Sequence, residues 1–178
     1  GQHKIGSIGL PLPNTDIKIL DDDMKEVETG SPGEIAIKGP QVMKGYWQRP
    51  EETSKSMHGE YFLTGDVGTM DKKGFFKIVD RKKEMILVSG FNVYPNDVEK
   101  AISENSKVLE VGVRGEKKDD GSEFVRAFIV KKDTSLTEKE VIEFCRTKLT
   151  NYKVPKSVSF RNELPKSNVG KILRRLLD

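Results

Sequence analysis

Three short stretches carry residue types that could do chemistry. The first is Thr64-Gly65-Asp66, which follows an apolar run. A carboxylate held at a glycine turn can accept two hydrogen bonds from a vicinal diol, as acidic residues do for ribose. The plain alternative is an ordinary β-turn. The second is Val88-Ser89-Gly90-Phe91-Asn92-Val93-Tyr94-Pro95. Gly90 permits a positive φ and a close approach of ligand to backbone, and Pro95 suits the first position of a helix. Here the alternative is a simple strand-to-helix connection. The third is Pro165 to Arg175, with Gly170-Lys171 at its centre. A phosphate-binding P-loop needs Gly where Pro165 stands and Ser or Thr where Ile172 stands, so that motif is excluded. What remains is a lysine on a sharp turn, able to neutralise a phosphate or carboxylate, or else merely solvated. A Cys/His zinc site is not expected, because Cys145 has only His3 and His58 beside it.

These stretches need elements to position them. In the first half, Ile17–Leu20 and Glu34–Lys38 alternate apolar and polar residues, the pattern of half-buried strands. Further strands are expected at Tyr61–Leu63 and Phe75–Val79, with a turn at Asp71–Gly74 and a short helix at Pro50–Met57. In the second half, Asn96 with Glu99 and Thr137 with Glu140 both have the spacing of a capping box. Each precedes apolar residues at helical spacing. Val108–Val113, Phe124–Lys131 and Val158–Arg161 read as strands.

The expected fold class is therefore α+β. Residues 1–79 form a β-rich, barrel-like subdomain, residues 80–83 a hinge, and residues 84–178 a small α+β domain with a three-stranded sheet and flanking helices. The run Asp80-Arg81-Lys82-Lys83 predicts a solvated connection, since four successive charges do not suit a core.

The chain has 178 residues, one third of them charged, with a net charge of +3. That charge is uneven: the first 79 residues carry 10 basic and 12 acidic side chains, the remainder 21 and 16. Such a basic half suits nucleic acid, an anionic small ligand or a solvated surface. Nucleic acid is disfavoured because most aromatics of that half fall at core positions, leaving few for base stacking. The longest apolar run is Met85–Val88, far short of the roughly 20 residues of a membrane span. No secretory leader is recognised at the N-terminus, and one cysteine cannot form an internal disulfide.

Taken in order, Gly33-Glu34-Ile35 through Gly45-Tyr46-Trp47, Tyr61–Asp66, Asp80–Lys83, Ser89–Pro95 and Pro165–Lys171 resemble the adenylate-forming enzyme superfamily. The blocks Asp80–Pro95 and Glu163–Arg175 are most similar to those of bacterial long-chain fatty acid–CoA ligases. The resemblance implies a two-step reaction. Fatty acid and ATP give acyl-adenylate and pyrophosphate, and coenzyme A then displaces AMP. It implies that Asp66 binds the ribose diol, that Arg81 contacts the nucleotide, and that Lys83 is the pivot of a small lid domain. Lys171 would be the catalytic lysine, and Ser89, Gly90 and Phe91 would line the passage for the coenzyme A thiol. Magnesium would accompany ATP on a part of the protein that precedes this sequence.

Two positions depart from the family pattern. Leu63 stands where many relatives have His, and Leu87 where some have a Lys used in the second half-reaction. No phosphate loop precedes Gly1, so the chain is expected to be a C-terminal fragment without ligase activity of its own. Its partners would be fatty acid, ATP or AMP, coenzyme A and the N-terminal domain of the same protein. The expected location is the cytoplasm, with peripheral association at the inner membrane left open. An aryl–CoA ligase or a carrier-protein acyl ligase is the alternative.

Overall fold

The computed structural model describes residues 4–178, so His3 lies outside the described residues. The chain divides into a unit ending at Lys83 and a second, Glu84–Asp178.

The first unit is built on β1 (Asp16–Leu20), β2 (Gly33–Lys38), α1 (Pro50–Lys55), β3 (Met57–His58), β4 (Tyr61–Met70) and β5 (Phe76–Arg81). The strands form one antiparallel sheet in the order β1-β2-β4-β3, with β5 also on β4. β1 and β2 pair Ile17 with Ile37 and Ile19 with Ile35. Ile19, Ile35 and Phe76 form the core, with Ile17, Val27, Ile37 and Met70 packed against it. The β4–β5 hairpin turns at Asp71–Gly74, where the Gly74 amide donates to the Asp71 carbonyl at 2.9 Å.

One feature of β4 matters for chemistry. Against β2, Val67 faces Glu34 and Leu63 faces Ala36, so residues 64–66 together oppose only Ile35. The chain bulges outward there, a device that re-aims side chains next to functional sites. Thr64 holds the bulge by donating its hydroxyl to the Ile35 carbonyl at 2.8 Å.

In the second unit, β6 (Ile86–Val88) and β7 (Phe91–Val93) form a hairpin, followed by α2 (Pro95–Ser103), β8 (Val108–Lys117), β9 (Glu123–Lys131), α3 (Glu138–Lys148) and β10 (Ser157–Arg161). The main sheet has the order β10-β9-β8, with β9 antiparallel to β8 and parallel to β10. Period-2 alternation splits β9 between two cores. Val125, Ala127 and Ile129 join Val98 and Ile102 of α2 and Val141 and Cys145 of α3. Phe128 and Val130 point the other way and are covered by Leu164, Leu177 and Ile172 of the C-terminal segment. A strand buried on both faces reads as a nearly continuous apolar run. Burial alone pushes the Cys145 thiol up to about 11, so it behaves as a core residue.

Two expectations need correction. Asp80 and Arg81 belong to β5 rather than to a solvated connection, and Asp80 is only 3% exposed. Strand alternation turns Asp80 inward and Arg81 outward although they are neighbours. The Asn96–Glu99 pair is not a capping box. α2 starts instead with Pro95 at its first position behind an extended Tyr94, and both polar side chains bind Arg174. Gly90 does take a positive φ, in a Ser89-Gly90 hairpin turn rather than in the simple connection into the helix that was the alternative.

At α3, by contrast, Thr137 and Glu140 form a complete capping box: the Glu140 amide donates to the Thr137 hydroxyl at 3.2 Å, and the Thr137 amide to the Glu140 carboxylate at 2.8 Å. The Thr137 amide, with Lys107, holds the Glu140 carboxyl at about 2 against the ordinary 4.5. Because the folded value is the lower one, this contribution is complete above about pH 4.5 and is lost as pH falls toward 2. Thr137→Ala is expected to cost about 1 kcal/mol in urea unfolding at neutral pH. The deficit should shrink with acid, and an unchanged midpoint at neutral pH would contradict the assignment.

Candidate functional site

In the first unit the candidate residues gather on the β4 bulge. Asp66 lies directly opposite Arg81 across the β4–β5 ladder. Arg81 Nε stands 3.1 Å from Asp66 Oδ1, and Arg81 Nη1 donates to the Thr64 carbonyl at 3.2 Å. One carboxylate oxygen is thus pinned while the side chain remains about a quarter exposed. A carboxylate held this way can accept hydrogen bonds from a diol with its remaining capacity, and the half-exposed guanidinium beside it can meet an anion.

Behind the bulge is a support that the motif reading did not assign. Glu34 is buried, its Oε1 accepting from the Gly65 amide at 3.0 Å and its Oε2 from Lys82 Nζ at 3.0 Å. Lys82 also reaches Asp22 at 3.0 Å. Burial opposes the charge of Lys82, but the hydrogen bonds to Asp22 and Glu34 outweigh it and hold its pKa above the ordinary lysine value. The sequence did contain a signal: alternation along β2 puts Glu34 on the same face as the fully buried Ala36. Lys83 is exposed and sits in a short 3-10 turn, Lys82–Glu84.

In the second unit, Ser89 and Gly90 are the two central residues of the β6–β7 turn, with φ of +51° and +83°. Two successive positive φ values are the mark of the tight type I′ hairpin turn. Apart from Gly90 and the two residues adjoining it, nothing lies within 4 Å of where a Gly90 Cβ would be, so the backbone there is open to an approaching ligand. Phe91 is half exposed and stacks on Tyr152, with ring centroids 4.7 Å apart and planes 18° from parallel.

Lys171 lies on a second small turn. The Ser167 amide donates to the Lys171 carbonyl and the Gly170 amide to the Ser167 carbonyl, both at 2.8 Å. The Lys171 amide is held by the Ser167 hydroxyl at 3.1 Å. Gly170 takes a φ of +80°, which closes the turn and displays Lys171 to solvent. Among the described residues of its own unit, no carboxylate pairs with this ammonium.

Three residues beyond it, Arg174 is the most heavily engaged cation of the unit. Its Nε and Nη2 bind the two oxygens of Glu99 at 2.8 and 2.6 Å, Nη1 binds Glu84 at 2.6 Å, and Nη2 also binds Asn96. Sequence reasoning missed it, because nothing local separates Arg174 from the exposed Arg175 beside it.

Residues 1–47 match the model of the AMP-binding enzymes, and residues 97–171 match the C-terminal domain of AMP-binding enzymes, so that the chain belongs to this adenylate-forming family. It is 57% identical over 176 residues to the long-chain-fatty-acid–CoA ligase of Yersinia pestis, covering 99% of this chain and 31% of that protein. It is 41% identical over 175 residues to the 2-succinylbenzoate–CoA ligase of Geobacillus kaustophilus, covering 98% of this chain and 36% of that protein. The o-succinylbenzoate coenzyme A synthetase of Bacillus subtilis, solved with ATP and magnesium, superimposes with a TM-score of 0.86 at 33% identity over 98% of this chain and 36% of its own. The chain thus spans about a third of the length of the relatives it matches.

Proposed function

We propose that this chain is the C-terminal part of an AMP-forming ligase that activates long-chain fatty acids and transfers them to coenzyme A. The observation that carries the substrate class is the gradient of identity, 57% to a long-chain-fatty-acid–CoA ligase against 41% to an aryl-acid ligase over nearly the same residues. The site residues support the chemistry. Asp66 accepts from the ribose diol of ATP and is oriented by Arg81, which also faces the nucleotide. Lys171 stabilises the negative charge that develops when a carboxylate attacks the α-phosphate, where two anions must meet. The open backbone at Ser89, Gly90 and Phe91 lets the narrow thiol arm of coenzyme A pass. Lys83 is the pivot about which residues 84–178 turn as a lid between the two half-reactions, the hinge type of domain closure.

Among the described residues no cluster of three His, Cys, Asp or Glu side chains could hold a metal, and magnesium would enter with the phosphates of ATP and ligands elsewhere in the protein. No helix among the described residues is long and apolar enough to cross a membrane. The working place of the ligase is the cytoplasm, where ATP and coenzyme A are present, with fatty acid delivered from the inner membrane surface.

The test is the full-length parent assayed against carboxylates of graded length and against aromatic acids. Preference for acyl chains of twelve carbons or more is expected, and preference for an aromatic acid would overturn the substrate class. The isolated 178 residues should show no ATP–pyrophosphate exchange. Within the full-length enzyme, Asp66→Ala removes a charged hydrogen-bonding group from the nucleotide and should raise KM for ATP about 10- to 100-fold. An unchanged KM would remove Asp66 from the nucleotide site.

A further inference from the structure

The residues on either side of Lys83 are each tied by side-chain ion pairs to a different unit. Lys82 is bound within the first unit, bridging buried Glu34 and exposed Asp22 at 3.0 Å each. Glu34 is in turn tied to the Asp66 bulge through the Gly65 amide. Glu84 is bound within the second unit, to Arg174 at 2.6 Å. Arg174 is itself seated on Glu99 of α2, and it stands three residues from Lys171. The division of the chain into its two units falls at this same point, after Lys83.

We propose that Lys82 and Glu84 are positioning residues, a pair of clamps that confine the turning of the second unit to the single residue Lys83. This rests on the lid reading above and deepens it. An anchor on each neighbour limits how far the backbone at residues 82 and 84 can turn, and with planar peptide bonds this leaves φ and ψ of Lys83 as the least restrained dihedrals of the connection. A residue with a Cβ has only a few allowed φ/ψ basins, so one-residue freedom yields a few discrete orientations rather than a continuum. A loose four-residue connection would instead let the lid wander between many poses. The same clamps connect the pivot to chemistry on each side: Lys82 shares Glu34 with the nucleotide-facing bulge, and Glu84 shares Arg174 with the segment that carries Lys171. Each clamp differs from an ordinary surface pair, which contributes little, in having one largely buried partner: Glu34 is 8% and Arg174 13% exposed at the side chain, while Lys82 and Glu84 are each 32% exposed.

The test is amide nitrogen relaxation on the 178-residue chain, with the amides of β2 and β9 reporting that each unit stays folded. Order parameters below about 0.6 are expected at Lys83 alone, against about 0.85 at Lys82 and Glu84. Lys82→Met should lower the order parameter at residue 82 and leave Glu84 fixed, and Glu84→Gln should do the reverse. Lys82→Arg keeps a cation between the two carboxylates and should restore the native profile. Mobility spread evenly from Asp80 to Ile86 in the native chain would overturn the proposal, as would Met and Arg variants that behave alike. Because no substrate is involved, the outcome is separable from the ligase reading. A full-length protein that fails to adenylate any carboxylate would sink that reading while leaving the relaxation profile to be judged by itself.

Discussion

Lys171→Ala in the full-length enzyme is expected to lower adenylation by about 10²- to 10³-fold, the usual effect of removing one group that stabilises transition-state charge. Thioester formation from supplied acyl-adenylate should be nearly unchanged. The fold gives two reasons to expect a clean result. First, the Lys171 side chain is exposed and the turn beneath it is held by backbone atoms and Ser167, so truncation removes no packing. Substitutions at such surface positions usually alter stability by less than about 0.5 kcal/mol. Second, in the proposed reaction the approach of a carboxylate to the α-phosphate would set two anions together, while thiol attack on the adenylate would not. One ammonium would then matter greatly for the first step and little for the second. ATP–pyrophosphate exchange measures the first step, and coenzyme A consumption from added adenylate measures the second. Equal loss in both would contradict a lid that presents Lys171 in one half-reaction and the Ser89–Phe91 turn in the other.

Much of this organisation is legible in the residues, and the failures share a cause. Alternation identifies β1, β2 and the main-sheet strands, because Ile17, Ile19, Ile35 and Ile37 must share a face. The Thr137 box is legible because both its partners lie within one turn. What fails is whatever depends on a partner far along the chain. Asn96 and Glu99 have the spacing of a cap, yet Arg174, 75 or more residues away, takes both. Asp80 reads as part of a charged run because adjacency in sequence hides the strand's alternation of faces. The Ser89-Gly90 hairpin escapes because each of its strands is only three residues long and Ser is not a usual residue at a positive φ. In the candidate site, Asp66 and Arg81 are on opposite strands of a hairpin, so the resemblance names each by itself and only the structure pairs them. Glu34 and Lys82, which brace that pair from behind, follow from neither motif nor adjacency.

Arg174→Met should strongly destabilise the second unit, costing about 3 kcal/mol, on the scale of a core truncation. The methionine replaces the aliphatic stem but leaves the Glu99 and Glu84 carboxylates facing one another without the cation that binds both. Loss of one member of a largely buried ion network costs more than the pair contributes net, because the remaining charges stay desolvated. Arg174→Lys should lie between native and Met, since an ammonium can satisfy one carboxylate but not the two-pronged geometry that Glu99 receives. The choice of probe matters. The single tryptophan, Trp47, lies in the first unit and is almost fully exposed, so its fluorescence will not report this loss. Exchange of the β9 amides is the suitable measure, because β9 is the central strand between both cores of the second unit. Protection there should fall by about 100-fold for the Met variant, the equivalent of about 3 kcal/mol. Leu177, Leu164 and Ile172 would still pin the C-terminal segment to Phe128, so Lys171 should remain displayed and adenylation should persist at low temperature. Native protection of β9 in the Met variant would mean that the Arg174 network holds the segment's geometry without contributing to the unit's stability.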